Sequence, residues 1–170
     1  VFILTGFMVL ASLAAFLRVK IDTDPENMLP ENEFVRVFNH EVKKEFALHD
    51  YIVLGVVNEK DPEGVFNPQT LEKVYKITDN IKEVDGVIAY ELMSLANKDD
   101  IEQAGPGTIS FKWLMDRPPY SSEEAKRIKE RALLNPLFYD TLISRDGKAL
   151  CIYVPIKEKK LSYGIAKRIQ

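Results

Sequence analysis

From Val1 to Leu17 the chain carries no charged side chain, and Arg18 and Lys20 then end the run abruptly. At about 1.5 Å per residue a helix over this stretch covers roughly 25 Å, slightly short of the ~30 Å hydrocarbon core of a bilayer. The chain opens on Val rather than Met, as expected of a sequence whose natural start lies upstream, and a few residues there would complete a span. A helix on a soluble domain shows a polar face, yet only Thr5, Gly6 and Ser12 interrupt this one. The favoured expectation is therefore a transmembrane helix over 1–18. Two other readings stay open. Ala11, Ala14 and Ala15 imitate the cleavage site of a signal peptide, although no basic region precedes them. A buried core helix is the other. Orientation cannot be read from charge, because only one flank is present.

The remainder is long enough for one domain with a real core. The whole chain, with 46% apolar and 29% charged residues, is not of disordered composition, and its net charge of −3 gives no general pull toward nucleic acid or anionic lipid. Cys151, the single cysteine, cannot form an internal disulfide. Its neighbours Leu150, Ile152 and Val154 favour a packed strand thiol over a reactive one.

Residues 19–49 read as a membrane-exit segment and a helix. Arg18 to Asp24 suits a short strand or an extended exit, and Asp24-Pro25 and Leu29-Pro30 punctuate it. Pro30 suits a first helical turn, with Glu31 and Glu33 at its positive end. Phe34, Phe38, Val42 and Phe46 recur every four residues beside Val37, which predicts a buried face. His40 and His49 have no supporting metal-ligand pattern and read as solvated or capping residues.

Residues 50–96 read as strand, helix, strand. Tyr51 to Val57 is a strand-length apolar run, expected to be buried on both faces. Asn67-Pro68 is an N-cap followed by proline at the first helical position; Leu71, Val74, Ile77 and Ile81 line one face to about residue 84, and Asp85-Gly86 closes the helix. Val87 to Leu95 reads as the next strand, giving a βαβ unit with a right-handed crossover.

Residues 97–136 are too long for a plain connection and read as a helical insertion. Gly105-Pro106-Gly107 has no following Lys-Ser/Thr, so it is not a phosphate loop. Ile109, Phe111, Trp113, Leu114 and Met115 form an apolar knot that Pro118-Pro119 stops, and Ser121 with Glu124 is a capping box for a following helix. Ile109, Phe111, Trp113 and Met115 alternate, so along an extended strand they share a face. Between a glycine hinge and a proline stop they are candidates for an apolar substrate path on a movable flap. The plainer reading is that they pin the insertion to the core. In residues 137–170, Thr141–Ser144 and Ala149–Ile156 flank Asp146-Gly147, a strong hairpin signal, and a second helix opens near Leu161.

The fold class expected is thus α+β. With one more strand beyond Gln170 the order becomes βαββαβ, an incomplete ferredoxin-like (split βαβ) subdomain, a fold that alone assigns no function.

The order of elements and several short stretches carry a family resemblance. Asp22-Thr23-Asp24-Pro25-Glu26-Asn27-Met28-Leu29-Pro30 follows an apolar helix and precedes a helix holding Phe34 to Phe46. Asp50-Tyr51-Ile52-Val53-Leu54, Pro68-Gln69-Thr70-Leu71, Gly86-Val87 with Ser94-Leu95, and Leu142-Ile143-Ser144-Arg145-Asp146-Gly147-Lys148 follow in register. Together they resemble the start of exporters of the resistance-nodulation-division (RND) superfamily, nearest to its MMPL-like branch. The resemblance implies a first transmembrane helix in the inner membrane and the first part of a porter domain, with 19–170 on the extracytoplasmic side. It also implies proton-driven export of hydrophobic or lipid-like substrates, and as partners the bilayer, the rest of the same transporter chain and other copies of it. The proton-relay acids of such exporters lie on later membrane helices, so no residue here inherits that role. A stand-alone, membrane-anchored binding or assembly module is the alternative.

No enzyme is expected. Asp99, Asp100 and Glu102 read as a solvated loop rather than an acid–base pair. Ser94, Ser144 and Ser162 lack a nucleophile-elbow pattern and a histidine partner. Lys157, Lys159 and Lys160 read as a wetted edge before a helix. No CxxC or HExxH pattern is present, and no metal or cofactor is expected.

Overall fold

The computed structural model describes residues 2–16 and 25–170, within two compact units, Val1–Leu48 and His49–Gln170.

In the first unit the apolar start is helix α1, Phe2–Phe16. Its 15 residues cover about 22 Å, and its large apolar side chains are exposed. Among the described residues no helix is long and apolar enough to cross a membrane. Of the span expected over 1–18, residues 2–16 form this helix, and 1, 17 and 18 lie outside the described residues. The exit expected at Arg18–Asp24 lies outside the described residues.

Helix α2, Phe34–Glu45, begins four residues after Pro30, the expected first-turn residue, because Pro30 and Glu33 close a separate turn (Glu33 N–H to Pro30 C=O, 3.1 Å). Its predicted apolar face is present but not buried. Phe34, Val37, Phe38 and Phe46 are exposed, with the Phe34 and Phe38 rings stacked at 5.9 Å. What positions α2 is polar: Lys43 Nζ pairs with Glu26 Oε1 at 2.6 Å and Arg36 Nη1 donates to Leu29 C=O at 2.7 Å, tying it to the 3₁₀ turn Pro25–Met28.

The second unit is α+β, as expected. Strand β1 (Asp50–Val57) pairs antiparallel with a later strand, Ala149–Ile156, from Asp50 opposite Ile156 to Val57 opposite Ala149. Helix α3 (Pro68–Lys82) lies close to the predicted range. Asn67 Oδ1 accepts from Thr70 N–H at 2.9 Å, and Leu71, Val74, Thr78 and Ile81 are buried. Gly86 follows with φ +92°, a conformation that L side chains rarely adopt.

The stretch Val87 to Leu95 is not the continuous strand expected. Val87 and Met93 each bridge to the far side of Ala149–Ile156, opposite Ile156 and Tyr153, with a 3₁₀ turn Ala89–Glu91 between them. The reason is in the burial. Val87 and Ile88 are neighbours and both buried, as are Leu95 and Ala96, whereas a regular strand sends successive side chains to opposite faces. Ala149–Ile156 therefore sits between β1 and this segment, and the expected parallel neighbours are separated by an antiparallel strand.

The region 97–136 is more than a helical insertion. Strands β2 (Asp99–Gly105) and β3 (Thr108–Trp113) form an antiparallel hairpin, followed by helix α4 (Ser122–Leu134). The Asp146-Gly147 turn forms, with Gly147 at φ +69° and Ser144 N–H donating to Ala149 C=O at 3.0 Å. Its first expected strand shrinks to a single bridge, Ile143 opposite Leu150. The second is β4, Ala149–Ile156, and helix α5 (Ser162–Ile169) follows.

The core lies on one side of this sheet. Leu150, Ile152, Val154 and Ile156 of β4 pack with Leu71, Val74 and Ile81 of α3 and Ile165 of α5. β1 contributes only alternate residues, Ile52, Leu54 and Val56, while Tyr51, Val53 and Val57 face water. Burial of β1 on both faces is thus corrected to burial on one.

Candidate functional site

The predicted substrate-path residues fall on β3 and just beyond it, and the hairpin decides which of them act together. Its register sets Asp99 opposite Trp113, Ile101 opposite Phe111 and Gln103 opposite Ile109. Cross-strand partners share a face. Ile101, Ile109, Phe111 and Trp113 therefore form one apolar rail, and all four are exposed, Trp113 at 52%. Met115 does not belong to it. It lies beyond the end of β3 and is 1% exposed, packed in the core with Leu114. The prediction of a shared face holds for three residues and fails for the fourth, because the strand ends at Trp113. Ile101 was missed in the sequence because it stands alone among Asp99, Asp100, Glu102 and Gln103, and only the pairing reveals it.

The plainer expectation, that this apolar cluster pins the insertion to the core, holds for Met115 and not for Ile109, Phe111 and Trp113, which are exposed. The hairpin is fastened through its other face. Asp100, 5% exposed, accepts from Arg131 Nε at 2.7 Å and from Asn135 Nδ2 at 3.1 Å, both at the end of α4. Leu114 N–H donates to Lys98 C=O at 3.1 Å and closes the base. A carboxylate removed from water needs such charge-assisted donors, so Asp100 is a structural anchor rather than part of a solvated acidic loop. The expected solvated loop fails at that residue.

Where the hairpin meets α4 there is an open cleft of about 360 Å³, lined by Asp100, Ile101, Arg131, Leu134, Asn135, Pro136 and Leu137. Leu134 and Leu137 are exposed, so the cleft adds apolar surface next to Ile101. The arrangement offers a strip of water-accessible apolar and aromatic surface with one ring, Trp113, beside the Asp99 carboxylate. Such a surface can hold an apolar body by exclusion of water.

The base of α4 is set by local chemistry. Ser121 caps it, its Oγ accepting from Glu124 N–H at 3.2 Å, as the capping-box pattern predicts. Glu124 turns back to Tyr120 N–H at 2.8 Å, one residue before the cap, and takes a two-pronged contact from Arg117 at 3.0 and 3.1 Å. Chiefly through Arg117, then through the Tyr120 N–H, its carboxyl is lowered to about 2. Arg117 also lies over the Tyr120 ring, 4.4 Å from its centre.

The remaining sequence candidates are placed apart. His49 lies 3.6 Å from Glu91, and His40 is exposed on α2. Ser94 is buried and shares a 2.7 Å hydrogen bond with Thr78. Ser144 sits in the turn before β4, hydrogen-bonded to Asp146 at 2.6 Å, and Ser162 opens α5. Lys157 uses its N–H on Gly86 C=O at 2.9 Å, and Lys160 pairs with Glu158 at 2.5 Å. Cys151 is half-buried on β4. Among the described residues no group of three or more His, Cys, Asp and Glu side chains gathers as a metal site.

No protein-family model matches this chain, no curated protein shows significant similarity to it, and no solved structure matches it.

Proposed function

We propose that this chain is the membrane-proximal, extracytoplasmic porter portion of a proton-driven RND-type exporter of hydrophobic or lipid-like molecules, with its apolar start at the inner membrane. In this reading strand β1 and the bridging segment 87–93, with β4 between them, stand for the split βαβ of an incomplete ferredoxin-like subdomain. The hairpin rail of Ile101, Ile109, Phe111 and Trp113 is part of the route that cargo follows. The observation that carries the reading is this rail: four large apolar side chains held in water by a hairpin whose polar face is fastened to α4. Apolar surface that water can reach is what a carrier of apolar cargo must offer at some stage of its cycle. The uncharged helix α1, with its large apolar side chains exposed, supports a membrane-facing start.

The test has two arms. Asp99→Cys in a Cys151→Ser background should be labelled in intact cells by a thiol reagent that does not cross the inner membrane; labelling only after permeabilisation refutes the extracytoplasmic placement. Trp113→Ala and Phe111→Ser should lower export of a lipid-like reporter while leaving the amount of folded protein unchanged. Export that ignores both changes refutes the path.

A further inference from the structure

The apolar rail of the β2–β3 hairpin differs from one end to the other. Leu114 N–H donates to Lys98 C=O at 3.1 Å. In an antiparallel ladder that bond flanks the pair Asp99 and Trp113, which is therefore a non-hydrogen-bonded pair, as are Ile101 with Phe111 and Gln103 with Ile109. Pairs of this kind bring their side chains closest, with Cα atoms about 4.5 Å apart. The rail face thus carries Asp99, Ile101 and Gln103 from β2 and Trp113, Phe111 and Ile109 from β3. Asp99 is its single charge, and it stands at one end. Lys112, the one cation of the two strands, lies opposite Asp100 on the other face. Asp99 is exposed, and among the described residues its carboxylate makes no hydrogen bond or ion pair. Toward the other end an open hollow of about 430 Å³ lies against Ile101, Gln103 and Ile109.

We propose that Asp99 and Trp113 form a cation subsite: they hold the positively charged head of an amphiphile whose apolar body lies along Phe111 and Ile101 to the hollow at Ile109. The proposal rests on the rail being a surface that binds apolar cargo, and it adds the charge of that cargo. The spacing sets the size of the body, since the strand runs about 13 Å from Trp113 to Ile109. The chemistry of the charged end sets the sign. The face of an indole attracts a cation through its quadrupole, and a carboxylate with no cation of its own is there to pair with it. An anionic head would meet a like charge at the same place, and a neutral head would gain neither attraction. Water reaches both groups, so the ring and the ion pair each contribute a factor of a few. Together they favour a cationic head over a neutral one by about tenfold.

The test uses the whole 170-residue chain, kept soluble by a non-ionic amphiphilic polymer, and reads the emission of Trp113, its only tryptophan. Three probes share an octyl chain and differ in the head: octyltrimethylammonium, octyl glucoside and octyl sulfate, each kept below its micelle concentration. Octyltrimethylammonium should shift the emission at about tenfold lower concentration than octyl glucoside, with octyl sulfate weakest. Added salt should narrow that gap. In Asp99→Asn the lead of the cation should fall to what the ring alone provides, about threefold, and in Asp99→Lys octyl sulfate should overtake it. Equal responses to all three probes, or an order that both substitutions leave unchanged, overturns the cation subsite while the apolar rail stands. No shift with any probe overturns both. If Asp99→Asn loses its far-ultraviolet spectrum, Asp99→Lys and the salt dependence decide.

Discussion

Arg131 Nε lies 2.7 Å from Asp100 Oδ2, joining the last turn of α4 to the base of the β2–β3 hairpin across 31 residues of sequence. The two ends of this contact are unequally wet: the Asp100 side chain is 7% exposed and that of Arg131 is 32% exposed. Removing the cation strands a buried carboxylate, whereas removing the carboxylate leaves a cation whose side chain is about a third exposed. Arg131→Met should therefore cost about 2–3 kcal/mol of unfolding free energy, and Asp100→Ala clearly less. Urea midpoints compare them. Equal losses, or a larger one for Asp100→Ala, refute the unequal roles.

Acid should loosen the start of α4. Glu124 has its carboxyl lowered from 4.5 to about 2, first by Arg117 and then by the Tyr120 N–H. A group whose folded value is depressed contributes stability that is fully present above its unfolded value and is lost as pH falls through the folded one. The loss should therefore run from about pH 4.5 down to about pH 2, and high salt should weaken the contribution. Carboxyl NMR titration reads it directly. Glu124→Gln should flatten that part of the stability profile; a profile with the same slope in the variant counts against the assignment.

Trp113 should report on the rail. At 52% exposed its emission should be that of a wet indole and should move to shorter wavelength when an apolar ligand or micelle covers it. Trp113→Ala should change stability by less than about 1 kcal/mol, as expected of a surface position. A blue-shifted spectrum in the free chain, or an unfolded alanine variant, would place the ring in the core.

Two glycines with similar backbones should respond differently to alanine. Gly64 has φ +63° and Gly147 φ +69°, but a Cβ on Gly64 would come 2.2 Å from Gly147 C=O, while one on Gly147 would meet Phe66 and Lys129 at 3.4 Å. Gly147→Ala should show the strain of a left-handed residue, about 1–2 kcal/mol. Gly64→Ala adds a clash with backbone that cannot turn aside, next to the 3.0 Å bond from Val65 N–H to Gly147 C=O, and should lose more than twice as much. Thermal denaturation of the two variants side by side is sufficient.

Much of this was legible in the residues and some was not, for identifiable reasons. α3 was readable because Asn67-Pro68 fixes its start and Leu71, Val74 and Ile81 repeat at helical spacing. The burial of β1 was misread because its apolar residues do not alternate with polar ones, so the wet face carries Tyr51, Val53 and Val57 with no marker of exposure. β2 was invisible, since Asp99, Asp100, Glu102 and Gln103 are poor strand formers that only pairing with β3 holds extended. Of the candidate path, Ile109, Phe111 and Trp113 followed from alternation. Met115 was included because alternation does not say where a strand stops.

β4 is the last strand among the described residues and, with Val87 and Met93 on one side and β1 on the other, the one that joins the sheet. A ribosome or a membrane pore delivering this polypeptide from its first residue releases β1 nearly a hundred residues before the strand it bonds to. Until Ile156 has emerged, α3 and α4 can form from local contacts, but Tyr51 to Val57 must wait as an uncovered sticky segment. The interval during which that segment stays uncovered in synthesis or translocation is set by the position of β4.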